Sequence, residues 1–314
     1  MIRRSSSPAG IIHKKGRTIM QSEIKTTRAS AVCDTLGGEL ISYKLDGKEY
    51  VWEGIPEYWA SHTPVLFPTV GSTLEGSVKF EGKAYPLTKH GFARKQQFRL
   101  LESTADTLVY ELVDSAATHE VYPYAFRLLI THKISDTGFT TTFTVQNTDD
   151  KPIWFCIGGH PGFRVPMNEG EQFSDYKLVF DKVENEDVIY TTNYGGGYID
   201  ASLPVVDKLK NTNEWALCHE DYDVDVLLTK KLQSRKVKLV NKDTGKGLEF
   251  DFNGFSALGV WTPPQKKAPF VCLEPWNGLP AHLDETGNFE DKPYAIKLNV
   301  GAEYSVGYKV KILA

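Results

Sequence analysis

The chain has 314 residues, 41% of them hydrophobic and 12% aromatic, with a formal net charge of −4. That length and apolar content suit a large buried core and argue against disorder, and the mildly acidic balance argues against a nucleic-acid binder, which carries a basic field. The four cysteines, Cys33, Cys156, Cys218 and Cys272, form no C-x-x-C pair, and no run of about 18 apolar residues is present to span a membrane, so free thiols in a reducing cytoplasm are expected.

Residues 1–19 are basic and polar and lack the apolar stretch of a secretory signal. They read as a disordered extension, and residues 20–314 as one domain. From about residue 22 the chain reads as short strands separated by turn residues. Ser30 to Cys33 and Glu39 to Leu45 flank a Gly-Gly turn. Leu45-Asp46-Gly47-Lys48 and Phe80-Glu81-Gly82-Lys83 are hairpin signals, because Gly and Asp tolerate the positive φ of a type I′ turn. Pro56 to Trp59 supplies one short turn. Gln97 to Ser103, Thr107 to Val113, Ala125 to Ile134 and Phe139 to Asn147 follow as strands, the last alternating Phe139, Phe143 and Val145 with threonines. Later strands are expected at Tyr176 to Phe180, Val224 to Leu228, Lys236 to Val240 and Leu248 to Phe252. Ala257 to Trp261, Phe270 to Leu273, Ala295 to Val300 and Ser305 to Ile312 complete the set. Helical periodicity is nowhere sustained. Strands at this spacing imply packed antiparallel sheets.

Three segments place an ionisable side chain among Gly, Pro and aromatic residues: Lys89-His90-Gly91-Phe92, Gly159-His160-Pro161-Gly162-Phe163 and Leu273-Glu274-Pro275-Trp276. His160 and Glu274 each sit where an apolar strand is expected to end, and a carboxylate there is costly unless paired or used. A core histidine and a structural ion pair are the plain alternatives. His90, His160 and Glu274 lie far apart in the chain, so spacing gives no support for a metal site. No nucleotide-binding glycine loop and no nucleophile elbow is present. Asp221, Asp223 and Asp225 lack the glycine and distal glutamate of a calcium loop, and the first two read as a solvated acidic turn.

Taken together these segments resemble the aldose 1-epimerase (galactose mutarotase) family, in its shorter bacterial LacX-like branch. The markers run in the family's order: Leu36-Gly37-Gly38-Glu39-Leu40, Pro64-Val65-Leu66-Phe67-Pro68, His90-Gly91-Phe92-Ala93-Arg94, Tyr122-Pro123-Tyr124-Ala125-Phe126, Gly159-His160-Pro161-Gly162-Phe163 and Leu273-Glu274-Pro275-Trp276. The resemblance implies an all-β supersandwich of large antiparallel sheets with an open sugar-binding groove. It implies Glu274 as the general base at the anomeric hydroxyl, His160 as the general acid at the ring oxygen, and His90 as a polarising partner. It also implies Asp225 as a holder of sugar hydroxyls and a sugar as the small-molecule partner. No cofactor, metal, nucleic acid or membrane is expected, and the protein is expected as a monomer or homodimer. Trp276 and Phe163 are the candidate sugar platforms, with Trp59 behind them.

The chain departs from the family pattern at Gly71-Ser72-Thr73-Leu74-Glu75-Gly76, where galactose mutarotases carry an arginine that contacts sugar hydroxyls. Arg94 is the expected substitute. Arg94 and Arg164 follow the two histidine motifs, and guanidinium groups suit phosphate. A hexose-6-phosphate epimerase is therefore one alternative to a free-hexose mutarotase. A carbohydrate-binding protein without turnover is another. A glycoside hydrolase fits less well, because it needs two carboxylates flanking the bond.

Overall fold

The computed structural model describes residues 10–14, 17–192 and 197–313. Within the segment expected to be disordered, residues 1–9, 15 and 16 lie outside the described residues. Gly10–Lys14 pairs antiparallel with Arg17–Lys25.

The strands gather into two large antiparallel sheets and two short ribbons. One sheet has five strands in chain order and ends with Ala29–Asp34, Glu39–Leu45 and Lys48–Glu49. The other has sixteen. One wing of it is a meander, Arg99–Ser103, Thr107–Val113, Phe126–Ser135 and Gly138–Asn147, closed by Glu303–Leu313. The other wing sets Val65–Leu66, Ile157–Gly159, Phe270–Asn277, Ala257–Trp261, Leu227–Thr229 and Tyr176–Thr192 side by side. This is the all-β supersandwich.

Period-two burial binds the two sheets into one core. In Gly138–Asn147, Phe139, Thr141, Phe143 and Val145 are buried, while Thr140, Thr142 and Thr144 are partly exposed. The Tyr43 ring of the smaller sheet meets Phe139 at 5.0 Å, and its hydroxyl donates to the Ser135 carbonyl at 2.9 Å. His132 spans the same gap, with Nε2 2.8 Å from the Gly38 carbonyl and Nδ1 3.0 Å from the Thr141 hydroxyl. Both hairpin signals fold as two-residue turns. Asp46 and Gly47 have φ of 51° and 81°, and Glu81 and Gly82 have φ of 51° and 79°. Leu45 then pairs with Lys48 and Phe80 with Lys83.

Two expectations need revision. The strand expected to end at Leu273 continues through Glu274 and Pro275 to Asn277. Its partner Ala257–Trp261 remains in register, with Leu258 opposite Pro275. The strand expected over Tyr176 to Phe180 runs on to Thr192, and Val206–Ala216 pairs along it without having been anticipated. In that partner strand Thr212 and Lys210 oppose the adjacent residues Glu184 and Asn185, with Asn211 at φ 55° between them. Such a bulge breaks the alternation that marks a strand in sequence. No helix among the described residues is long and apolar enough to cross a membrane.

Candidate active site

The site grows from one strand. Phe270, Cys272, Glu274 and Trp276 alternate along Phe270–Asn277 and so share a face, and all are buried. The neighbouring chain segment pairs Gly158 with Trp276 and Gly162 with Cys272. Carried across the interval, this register sets His160 directly opposite Glu274, where cross-strand side chains meet. His160 Nε2 lies 3.1 Å from Glu274 Oε2. Glycine is required beside this pair. A Cβ on Gly158 would come within 2.8 Å of the Trp276 ring, and one on Gly259, the residue opposite Glu274, would meet that ring at 3.2 Å.

His90 arrives from a left-handed turn. Its φ is 66° and that of Gly91 is 68°, and a Cβ on Gly91 would lie 2.1 Å from the Phe67 carbonyl oxygen. Gly71 donates its N–H to His90 Nδ1 at 3.1 Å and accepts from the His90 N–H at 2.9 Å. With Nδ1 accepting, the proton of the neutral ring sits on Nε2. The His90 ring stands edge-on to His160, with centroids 5.6 Å apart. Trp59 stacks on the other side of His160 at 4.7 Å, and Trp261 packs against it at 5.3 Å. These aromatic contacts fix the imidazole plane.

Asp225 stands just before Leu227–Thr229, at φ 100°. Lys89 Nζ is 3.3 Å from its Oδ2. Together with Arg94, Trp59, Trp261 and Trp276, these groups line a cleft of ≈ 200 Å³ that also contains His90, His160 and Glu274. Its lining combines charged and imidazole groups with three indoles.

Burial governs the protonation of the pair. It pushes the Glu274 carboxyl well above the ordinary carboxylate range, with the Asp225 charge adding to the rise. It lowers His160 to about 3, and the Arg94 charge acts in the same direction. His90 falls well below its usual range for the same cause, with Lys89 contributing. Both shifts favour the neutral forms of Glu274 and His160 in the free cleft. A proton passing from Glu274 Oε2 to His160 Nε2 across the 3.1 Å between them would create the carboxylate–imidazolium form without change in net charge.

Residues 20–311 match the aldose 1-epimerase family. The chain belongs to that family. It is similar to protein LacX of Lactococcus lactis subsp. lactis, with 33% identity over 289 residues that span 89% of this chain and 95% of LacX. Among solved structures, the galactose mutarotase related enzyme from Lactobacillus acidophilus superposes with a TM-score of 0.86 at 27% identity, covering 94% of this chain and 98% of that one. A galactose mutarotase-like protein from Lactobacillus casei gives 0.85 at 27% identity, covering 93% and 99%. The putative aldose 1-epimerase of Escherichia coli, at 14% identity and a TM-score of 0.71, shares the fold over 94% of this chain and 99% of its own.

In this aldose 1-epimerase family member, seven of the eight catalytic and sugar-contact candidates from sequence line the cleft: Glu274, His160, His90, Asp225, Arg94, Trp276 and Trp59. Phe163 does not. It lies fully buried in Gly162–Arg164 with its ring against Phe250 at 5.8 Å, so it packs the core and offers no platform. Arg164 is likewise held elsewhere, by Glu53 at 2.9 Å. Asp221 pairs with Lys208 at 2.6 Å, and Asp223 accepts the Gln265 N–H, so neither accompanies Asp225. Lys89 and Trp261 were missed, and Trp59 was ranked too low. Adjacency to His90 was the available signal for Lys89. For Trp261 the signal was its strand position opposite Cys272, which sequence does not display.

Proposed function

We propose that the protein interconverts the α and β anomers of an aldose by acid–base ring opening and closure. The observation that carries this reading is the buried Glu274–His160 pair, 3.1 Å apart in the wall of a cleft of ≈ 200 Å³. In the charge-separated form the Glu274 carboxylate takes the proton of the anomeric hydroxyl. His160 Nε2–H gives its proton to the ring oxygen as the C1–O5 bond breaks and an aldehyde forms. The C1–C2 bond rotates, and the same groups run backwards to close the ring with C1 inverted. One proton enters the pair as one leaves, so the site is regenerated in each cycle. His90 Nε2–H polarises the oxygens at C1. Asp225 accepts from ring hydroxyls, Lys89 donates to them, and Trp276 with Trp59 faces the C–H surface. Each positioned acid or base of this kind contributes about 10²–10⁴-fold.

A phosphorylated aldose is the second reading, favoured by one observation. The Nε of Arg94 is buried with no partner, and its Nη2 reaches only the Lys89 carbonyl at 3.3 Å. Lys89 pairs with Asp225, whereas Arg94 makes no contact ion pair among the described residues and feels the Glu39 charge only at a distance, which leaves its guanidinium suited to an anion. Anomer exchange of glucose, galactose and glucose 6-phosphate, followed by NMR, ranks the two. Exchange accelerated for the phosphate alone assigns the second reading. Tight sugar binding with no acceleration of any sugar overturns both and assigns a binding protein.

A further inference from the structure

The strand register places a sulfur beside the acid–base pair. Cys272 lies two residues before Glu274 on the same face, and His160 projects from the adjoining segment. One donor atom from each of His160, Cys272 and Glu274 falls within 4.8 Å of the others, and all three residues are buried. We propose that this trio is a binding site for a borderline-soft divalent cation, Zn²⁺ by its chemistry, and that occupancy switches the acid–base pair off.

The donor set is one nitrogen, one sulfur and one oxygen, which suits Zn²⁺ and disfavours Mg²⁺ or Ca²⁺. The 3.1 Å between His160 Nε2 and Glu274 Oε2 corresponds to roughly 100° at an ion about 2.0–2.1 Å from each, close to tetrahedral. A thiolate at about 2.3 Å from the ion would stand about 3.6 Å from the other donors. The closure needed from at most 4.8 Å is about an ångström, within reach of the Cys272 and Glu274 side-chain torsions. Glu274 Oε1 is buried without a partner, so the carboxylate has an oxygen free to complete the set. Trp52 and Phe270, with Trp59 and Trp261 above them, wall the sulfur from solvent. His160 and Glu274 line the cleft, so an ion reaches the trio from that side.

Binding displaces the Cys272 thiol proton and holds Glu274 as a carboxylate. With Nε2 and the carboxylate both ligated, neither can exchange a proton with a sugar. The inhibition follows from the proposed acid–base roles, whereas the binding does not.

Two readouts keep these separate. The first titrates Co²⁺ as a spectroscopic stand-in into the purified full chain and into C272A and E274Q. The expected result is one equivalent per chain with a near-ultraviolet thiolate-to-metal band, lost in C272A and weakened at least tenfold in E274Q. The second follows anomer exchange with increasing Zn²⁺. C272A is expected to keep its exchange rate and to lose at least tenfold in Zn²⁺ sensitivity. Absence of a thiolate band, or Zn²⁺ sensitivity unchanged in C272A, overturns the proposal. Co²⁺ binding with the band intact in a protein that exchanges no anomers would leave the metal site standing and remove the mutarotase reading.

Discussion

At the scale of single residues, burial decides both chemistry and acid sensitivity. His132 is enclosed between the sheets, hydrogen-bonded to the Gly38 carbonyl and the Thr141 hydroxyl. Burial lowers it to about 4 from an ordinary 6.5. The unfolded chain therefore takes up this proton first as pH falls. The stability tied to neutral His132 is complete above pH 6.5 and drains away between 6.5 and about 4, on the order of 3 kcal/mol in all. Denaturant titrations across that window should show a shallower pH dependence in H132N than in the parent. Equal slopes would show that His132 does not report on acid unfolding. Phe163 offers a second contrast. F163A is expected to cost about 3–5 kcal/mol as a core truncation, while substrate KM in the folded fraction stays within twofold. A large KM rise would restore it as a platform.

The elements explain what the sequence showed and what it concealed. Glu274, His160 and His90 stood out because each is flanked by Gly, Pro or an aromatic residue at an apparent break. That Glu274 and His160 face one another is a matter of register, which local patterns do not encode. Lys89 and Asp225 meet for the same reason, over 136 positions of chain. Phe163 was misread because Pro161-Gly162 resembles the start of a loop, whereas Gly162–Arg164 returns to the ladder. Hairpins were the most legible feature, since Asp-Gly and Glu-Gly specify a turn by backbone conformation alone. Val206–Ala216 was the least legible, since its bulge and its Lys, Asn and Glu side chains cancel the apolar period. Gly91 is the element-level position most exposed to mutation. At φ 68° and with a Cβ 2.1 Å from the Phe67 carbonyl, G91A is expected to cost more than about 1 kcal/mol and to displace His90. A thermal melt and a kcat measurement check both. An unchanged kcat would show that the turn does not set the histidine.

For the whole molecule, the fold class followed from strand spacing, aromatic content and the six ordered markers, and the long sheet supplies the rigidity the site needs. Five strands or strand ends of one wing contribute to a single cleft, so sugar binding should stabilise the wing as a unit. At a hundred times its Kd, a substrate aldose adds about 2.7 kcal/mol to stability, readable as a rise in Tm. A sugar that is turned over but gives no rise at saturating concentration would contradict a site formed by the native wing.

The central claim is that Glu274 and His160 form the proton-transfer pair of an anomer-exchange reaction, and NMR exchange spectroscopy tests it most directly. The parent, E274Q and H160N would be compared on the best of glucose, galactose and glucose 6-phosphate. The account predicts acceleration by the parent, a loss of about 10²–10⁴-fold in each variant, and retained sugar binding in E274Q. Full activity in either variant would contradict the claim.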